Sequence, residues 1–299
     1  MITVDVLLST YNGEQYLEEQ IESLLAQENV SVNVIARDDG STDNTIKILN
    51  RYQNKNMLSW YGGENLRPAR SFWKLLCDAP VSQYYCFCDQ DDVWMPDKLR
   101  FAVNKMKSFS DVPCLYFSAK RLVDRNLNFI ADTHENLRLT LGEAMVYNPV
   151  TGCTMVINEP LRKILLSANP NLPSLHDSWI YRTCLAVGGK VIYDVEPHIM
   201  YRQHGNNVVG HVGKFVRFQN FIKSLIAPKN KSARSNSAKE LLNCYSNYMN
   251  AESLELLTLI SEYDKSFSKK IKLLCCKKMR TSSHVGRCTF FLYVLLNKY

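Results

Sequence analysis

Strand and helix signals alternate through the first 110 residues, and this alternation constrains the fold more than any other feature. β-rich apolar runs fall near residues 3–8, 32–36, 57–61 and 83–88. Helical patterns separate them. Glu14 to Gln27 sets Leu17, Ile21, Leu24 and Leu25 on one face, the spacing of an amphipathic helix. Asp43 to Tyr52 carries Ile46, Ile48 and Leu49, with Ser41 or Asp43 as its cap. Phe72 to Cys77 and Pro96 to Met106 complete the set, Pro96 suiting a first helical turn. Such alternation predicts an α/β fold, a mostly parallel sheet flanked by helices on both faces.

Beyond residue 110 the signals are shorter. Cys114–Ser118 and Cys153–Ile157 read as strands, with a turn at Asp124–Asn128 between them. Residues 159–167 and 176–187 read as helices and Lys190–Tyr193 as a short strand. From about residue 211 the chain turns helical and basic, with Phe290–Leu296 as its one strand candidate and Lys229–Ser237 as a polar linker. The net charge of +7 is unevenly placed. Residues 1–210 carry 20 Lys+Arg against 24 Asp+Glu; residues 211–299 carry 16 against 5. This division predicts a domain at 1–210 and a helical basic C-terminal extension at 211–299, suited to membrane association or oligomerisation. Within it, Lys269–Arg280 interleaves lysines with apolar residues, as an interfacial helix on anionic lipid does. No segment reaches the roughly 18 uninterrupted apolar residues of a membrane span. No leader pattern precedes the first strand, and the ten cysteines contain no CxxC pair. Both features predict a cytoplasmic protein with reduced thiols.

Three of the early strands run into polar loops. The first ends in Ser9-Thr10-Tyr11-Asn12-Gly13, the second in Asp38-Asp39-Gly40-Ser41-Thr42-Asp43, and the fourth in Cys88-Asp89-Gln90-Asp91-Asp92-Val93-Trp94. In open parallel sheets, ligands bind outside the carboxyl ends of the strands. Three carboxylates within four residues repel one another, and desolvation disfavours their charge. A hard divalent cation, Mn²⁺ or Mg²⁺, would offset that cost and bridge the carboxylates to phosphate. A solvated acidic turn is the plainer alternative. No G-x-G-x-x-G follows the first strand, which sets a Rossmann dehydrogenase aside.

In order and spacing these motifs resemble the family 2 glycosyltransferases, which have the nucleotide-sugar-binding GT-A fold. The matching pieces are the Ser9–Asn12 strand end, the Asp38–Asp43 loop, the Asp89–Asp92 cluster with Trp94, Pro96 and Lys98, and His176-Asp177. Tyr201-Arg202-Gln203-His204-Gly205-Asn206-Asn207 is similar to a motif of the rhamnosyltransferase-like members that build bacterial surface polysaccharides. The resemblance covers roughly residues 1–210. It implies that Asp39 accepts a hydrogen bond from a pyrimidine base, in a pocket shared with Ser9, Thr10, Tyr11 and Asn12. It implies that Asp91 or Asp92 ligates the cation, that Asp89 reaches the ribose or a metal-bound water, and that His204 ligates the metal or contacts phosphate. Arg67 or Arg70 would contact phosphate, although related enzymes often have glycine near Arg67. Asp177 would be the general base, its alternative being a carboxylate stabilising a helix N-terminus.

The implied activity is inverting transfer of a sugar from a UDP- or dTDP-sugar to a hydroxyl of a glycan or lipid-linked acceptor. It would take place at the inner face of a bacterial membrane, with the enzyme peripherally attached. A homo-oligomer is compatible with the tail, and no motif points to nucleic acid. The competing reading is a nucleotide-sugar-binding or scaffold protein of the same fold without catalysis.

Overall fold

The computed structural model describes residues 2–171, 175–204 and 234–299. Its strands are β1 (Thr3–Thr10), β2 (Ser31–Asp38), β3 (Ser59–Gly62), β4 (Tyr84–Cys88), β5 (Val93–Trp94), β6 (Cys114–Val123), β7 (Phe129–Asp132), β8 (Val156–Asn158) and β9 (Lys190–Arg202). Helices α1 (Leu17–Leu25), α2 (Thr45–Gln53), α3 (Arg67–Asp78) and α4 (Lys98–Met106) interleave with the first strands. Later come α5 (Leu141–Val146), α6 (Glu159–Leu166), α7 (His176–Ala186), α8 (Arg234–Tyr245), α9 (Ala251–Glu262), α10 (Phe267–Leu274) and α11 (His284–Leu295).

The strands join one sheet in the order β3-β2-β1-β4-β8-β6-β9-β5, with β7 beside β6. β1 to β4 are parallel. Beyond them the sheet is mixed, because β8 runs antiparallel to both β4 and β6, while β9 lies parallel to β6. Two reversals restore the original direction. The carboxyl ends of β1, β2, β3, β4, β6 and β9 therefore share one edge, which concentrates the strand-end loops there.

Side chains alternate between the two faces of the sheet. Val4, Val6, Leu8, Tyr84, Cys86 and Tyr116 pack under α1, α2 and α4. Leu7, Tyr85, Phe87, Leu115 and Phe117 pack under α3, α6 and α7. A sheet covered on both faces explains the nearly continuous apolar strands β1 and β4.

Helix α7 is buried on ten of its eleven residues. One side meets the sheet and the other meets the C-terminal helices. The rings of Trp179 and Tyr245 lie 6.1 Å apart, and the Tyr245 hydroxyl donates to Leu165 O at 3.0 Å. Ala238, Leu257, Ile260, Phe290 and Val294 belong to the same core cluster. Polar ties fix the contact. Glu143 on α5 accepts from Ser282 N and Ser282 Oγ, both at 2.7 Å, and the Tyr299 hydroxyl donates to Met145 O at 2.8 Å.

Several local expectations change. Phe290–Leu296 is not a strand: it is the second half of α11 and the residue after it. Short apolar runs do not declare their period. The deciding features are the Ser283 cap, which accepts from Gly286 N at 3.0 Å, and burial of Phe290 and Val294 one turn apart. The β9 strand runs nine residues past Tyr193, to Arg202. Cys153–Ile157 divides into a 3₁₀ turn at Gly152–Thr154 and β8. In Lys229–Ser237, residues 234–237 begin α8 and the rest lie outside the described residues, as do Gly205-Asn206-Asn207. None of the ten cysteines forms a disulfide. Among the described residues no helix is long and apolar enough to cross a membrane.

Candidate active site

The shared strand edge is stitched together by side chains. Thr10 Oγ1 donates to Asp38 Oδ1 at 3.0 Å, and Asp38 Oδ2 accepts from Gly40 N and Ser41 N. Asn12 N donates to Ser41 Oγ, and Asn12 Oδ1 accepts from Thr42 N, each at 2.8 Å. Asn12 holds φ +47°, a left-handed conformation that asparagine tolerates. Gln90 joins the acidic loop to this frame: its Oε1 accepts from Tyr11 N at 2.8 Å, and its Nε2 donates to Tyr11 O at 2.9 Å. A Cβ on Gly13 would fall 2.2 Å from Gln90 Oε1, so any larger residue there would push the Gln90 amide off Tyr11. Ser9 Oγ is hydrogen-bonded to Ser71 Oγ at 2.7 Å. Of the four predicted donor-pocket residues in this loop, Ser9, Thr10 and Asn12 thus hold the frame. Tyr11, 48% exposed, contributes no side-chain hydrogen bond to it among the described residues.

Asp39 is buried at the base of this edge. Its Oδ1 accepts from Leu66 N at 3.1 Å and pairs with Arg37, and its Oδ2 accepts from Arg67 N at 2.9 Å. A carboxylate offers about four acceptor sites, so one remains on Oδ2. Arg67 adopts φ +65°, a left-handed conformation that glycine reaches at no steric cost and arginine rarely adopts. The Arg67 and Arg70 side chains are exposed, and no carboxylate pairs with either among the described residues.

The acidic loop divides into two groups. Asp89, Asp92 and the Cys153 thiol place ligand-type atoms within 4.8 Å of one another. Asp92 is fully buried, with Oδ1 accepting from Arg202 N at 3.0 Å. Asp91 instead turns to His204, whose Nε2 lies 2.8 Å from Asp91 Oδ2. Arg202 Nε donates to Asp91 O at 2.9 Å, and its guanidinium sits over the Tyr16 ring, 4.4 Å from the centroid. The end of β9 is thereby pinned to the acidic loop.

Asp177 lies in the first turn of α7. Burial pushes its carboxyl up to about 6, against opposing backbone hydrogen bonds and the charges of Arg182 and Lys120. Burial, followed by the charges of Asp91 and Asp177, lifts Asp89 to about 7. The base candidate and the acidic loop are therefore close enough to repel. Neighbouring His176 is buried against Phe72 and Phe87, with ring centroids 4.2 and 5.3 Å away. Burial drives its imidazole down to about 3, so it packs as a neutral ring.

The donor set fits a hard divalent cation at Asp91 and His204, one carboxylate and one imidazole, both partly exposed. The Asp89, Asp92 and Cys153 group suits it less. Its thiol is soft, and burial raises that thiol well above its ordinary value, so it stays protonated. Among the described residues the buried Asp92 Oδ2 atom has no O–H or N–H donor, and the Cys153 thiol lies beside this carboxylate.

This sheet, with its loops gathered at one edge, is the GT-A glycosyltransferase fold. A family model described as glycosyl transferase family 2 matches residues 5–155. The dTDP-rhamnosyl transferase RfbG of Shigella flexneri is 30% identical over 256 residues, covering 78% of this chain and 82% of that protein. The S. aureus TarS 1–349 structure in complex with UDP aligns with a TM-score of 0.59 at 19% identity, covering 91% of this chain and 75% of that one. Its complex with UDP-GlcNAc gives 0.59 at 17% identity, covering 99% and 90%. The chain belongs to glycosyl transferase family 2.

Sequence reasoning gave no role to Gln90, Arg202, Cys153 or Lys120. The first two stand inside quoted motifs and could have been weighed. Nothing local marks Cys153 or Lys120. Lys120 Nζ donates to Thr151 Oγ1 at 2.7 Å and sits 5.0 Å from the Tyr201 ring centroid, contacts that only folding creates.

Proposed function

We propose that this glycosyltransferase moves a deoxyhexose or hexose, with inversion, from a dTDP- or UDP-sugar to a hydroxyl of a glycan or lipid-linked acceptor. The reaction would serve surface polysaccharide synthesis at the inner face of a membrane. The rhamnosyl transferase relative makes a dTDP-deoxyhexose the first donor to test. The single observation that carries the reading is that the first turn of α7 meets the end of β4, where His176 packs on Phe87 two residues before Asp89, which brings Asp177 to the carboxyl edge beside the acidic loop.

Each group has a task. The open site on Asp39 Oδ2 accepts the imide N–H of uracil or thymine, with Tyr11 beside it. Arg67 or Arg70 reaches phosphate oxygens, where a guanidinium forks well. Asp91 and His204 hold Mn²⁺ or Mg²⁺, with Asp92 backing the loop. When bound, such a cation neutralises charge on the diphosphate leaving group. Asp89 reaches the ribose. Asp177 takes the proton from the acceptor hydroxyl as that oxygen attacks the anomeric carbon from the face opposite the leaving group. An inactive donor-binding protein of this fold would keep the first tasks and lack the last, so transfer to an added acceptor separates the two readings.

Donor binding will need the cation. Calorimetry of dTDP or UDP is expected to show affinity at least about tenfold higher with Mn²⁺ than after EDTA treatment. Asp91→Ala and His204→Ala should lose that gain. Equal affinity with and without metal, in the wild-type protein, would remove the cation from the site.

The pH profile should follow Asp177. Below about 6 its carboxyl is protonated and cannot accept a proton. The kcat/KM should therefore rise with unit slope and level off above that value. The same shift acts on stability. A folded-state value raised above the unfolded 3.8 means that folding favours the protonated form. Asp177's contribution is thus fully present below the unfolded value and is lost as pH rises through about 6. A flat activity profile from about pH 5 to about pH 8 would exclude Asp177 as the base.

A further inference from the structure

Helix α11 is apolar on opposite sides. Phe290 and Val294 are buried, and Phe290 packs on Tyr299 with ring centroids 5.0 Å apart. Val285, Cys288, Phe291, Leu292, Leu295 and Leu296 are all exposed, Val285 by 74% and Leu295 by 55%. At about 100° per residue these six fall on one arc, with no Lys, Arg, Asp or Glu among them. Helix α10 lies alongside, since Lys270 Nζ reaches Leu295 O at 3.4 Å. It adds Ile271 and Phe267, the latter 78% exposed. A helix apolar on two opposite sides needs cover on both, and a contiguous patch of this kind marks an interaction surface.

Charge identifies the cover. The lysines expected to meet lipid from the 269–280 stretch are partly committed elsewhere. Lys269, Lys272 and Lys278 pair with Glu262, Glu255 and Glu252 of α9. Lys277 and Arg280, in the turn leading to α11, have no carboxylate partner among the described residues. With Arg138, Lys278 and Glu252 they line a recess of about 300 Å³ that is cationic on balance. Lys270 borders the apolar face at Leu295 and Arg287 of α11 is exposed, so a second copy docking there by two-fold symmetry would meet the same positive charge. An anionic surface would neutralise it instead.

We propose that the outer face of α11, with Phe267 and Ile271 of α10, seats the enzyme on an anionic lipid bilayer. The helix lies in the interface plane, its exposed leucines among the acyl chains and Lys270, Lys277 and Arg280 at the phosphates. Its 12 residues are too short to cross. The inference rests on the membrane location proposed above and replaces the 269–280 segment with α11 as the principal contact. Its test reads vesicle binding without donor or acceptor, so its failure would leave the transfer reading standing.

The experiment is co-sedimentation of the full chain with phosphatidylcholine vesicles, with and without phosphatidylglycerol. The wild-type protein should sediment with the anionic vesicles and release as salt rises. Leu292→Glu/Leu295→Glu should bind at least about tenfold more weakly with an unchanged unfolding midpoint. Leu295→Ser/Leu296→Ser serves if the charged pair misfolds. Lys277→Glu/Arg280→Glu should weaken binding only to the anionic vesicles. Wild-type protein that ignores both vesicles, or folded leucine variants that bind as tightly as wild type, would overturn the proposal. So would a wild-type dimer that Leu292→Glu/Leu295→Glu converts to monomer, since the face would then be a self-association surface.

Discussion

Asp177→Asn is expected to lower transfer by about 10³-fold while leaving donor affinity within about twofold of wild type. The substitution keeps the size of the side chain and the N-terminal position on α7. It removes the one function an amide cannot supply, acceptance of a proton. A general base contributes about 10²–10⁴ in rate, and an inverting displacement has no second nucleophile to cover its loss. The donor should still bind, because Asp39, Asp91 and His204 belong to other elements. Replacing a buried carboxylate whose ionisation is opposed by burial should also leave stability unchanged or raised at pH 8. Nucleotide release with acceptor gives the rate and calorimetry gives the affinity. Near-normal turnover would end the base assignment, and loss of nucleotide affinity would move Asp177 into the donor site.

Deleting residues 234–299 is expected to abolish folding, not to free a working catalytic domain. The deletion strips Leu241, Tyr245, Leu257, Ile260, Phe290, Val294 and Tyr299 from the core cluster that contains Trp179, Ile180 and Met145. Burying one such side chain contributes about 1.5–3 kcal/mol, against a total stability of about 5–15 kcal/mol for a typical protein. Losing seven removes about 10–21 kcal/mol, as much as that whole total. Arg182 would also lose Ser237, and Glu143 would lose Thr281 and Ser282. The truncated chain should be insoluble, or lack a cooperative thermal transition. A soluble fragment that melts cooperatively and binds dTDP would show that α7 can be covered without these helices.

The sequence by itself determined the class of fold and which strand ends carry the polar loops. Strands β1, β2 and β4 and helices α1, α2 and α4 were legible because their apolar residues repeat at 2 or 3.6 and turn residues bound them. The strand-end loops were legible because carboxylates behind a buried strand are costly unless used. Only the tertiary structure decided which carboxylate faces what. Asp91 turns to His204 and Asp92 to Cys153, although Asp91 and Asp92 are adjacent in the chain, because β9 returns to the edge and Arg202 caps one of them. It also decided that the basic C-terminal region shares the core, since the inner stripes of α8 to α11 match α5 and α7 only after the chain has folded back. The +11 surplus beyond residue 210 is visible in the sequence, but not which lysines meet the glutamates of α9 and which stay open. Local periodicity records which face of an element is apolar. It carries no information on the partner, because hydrogen bonds and packing between distant segments are fixed by geometry that no short window contains.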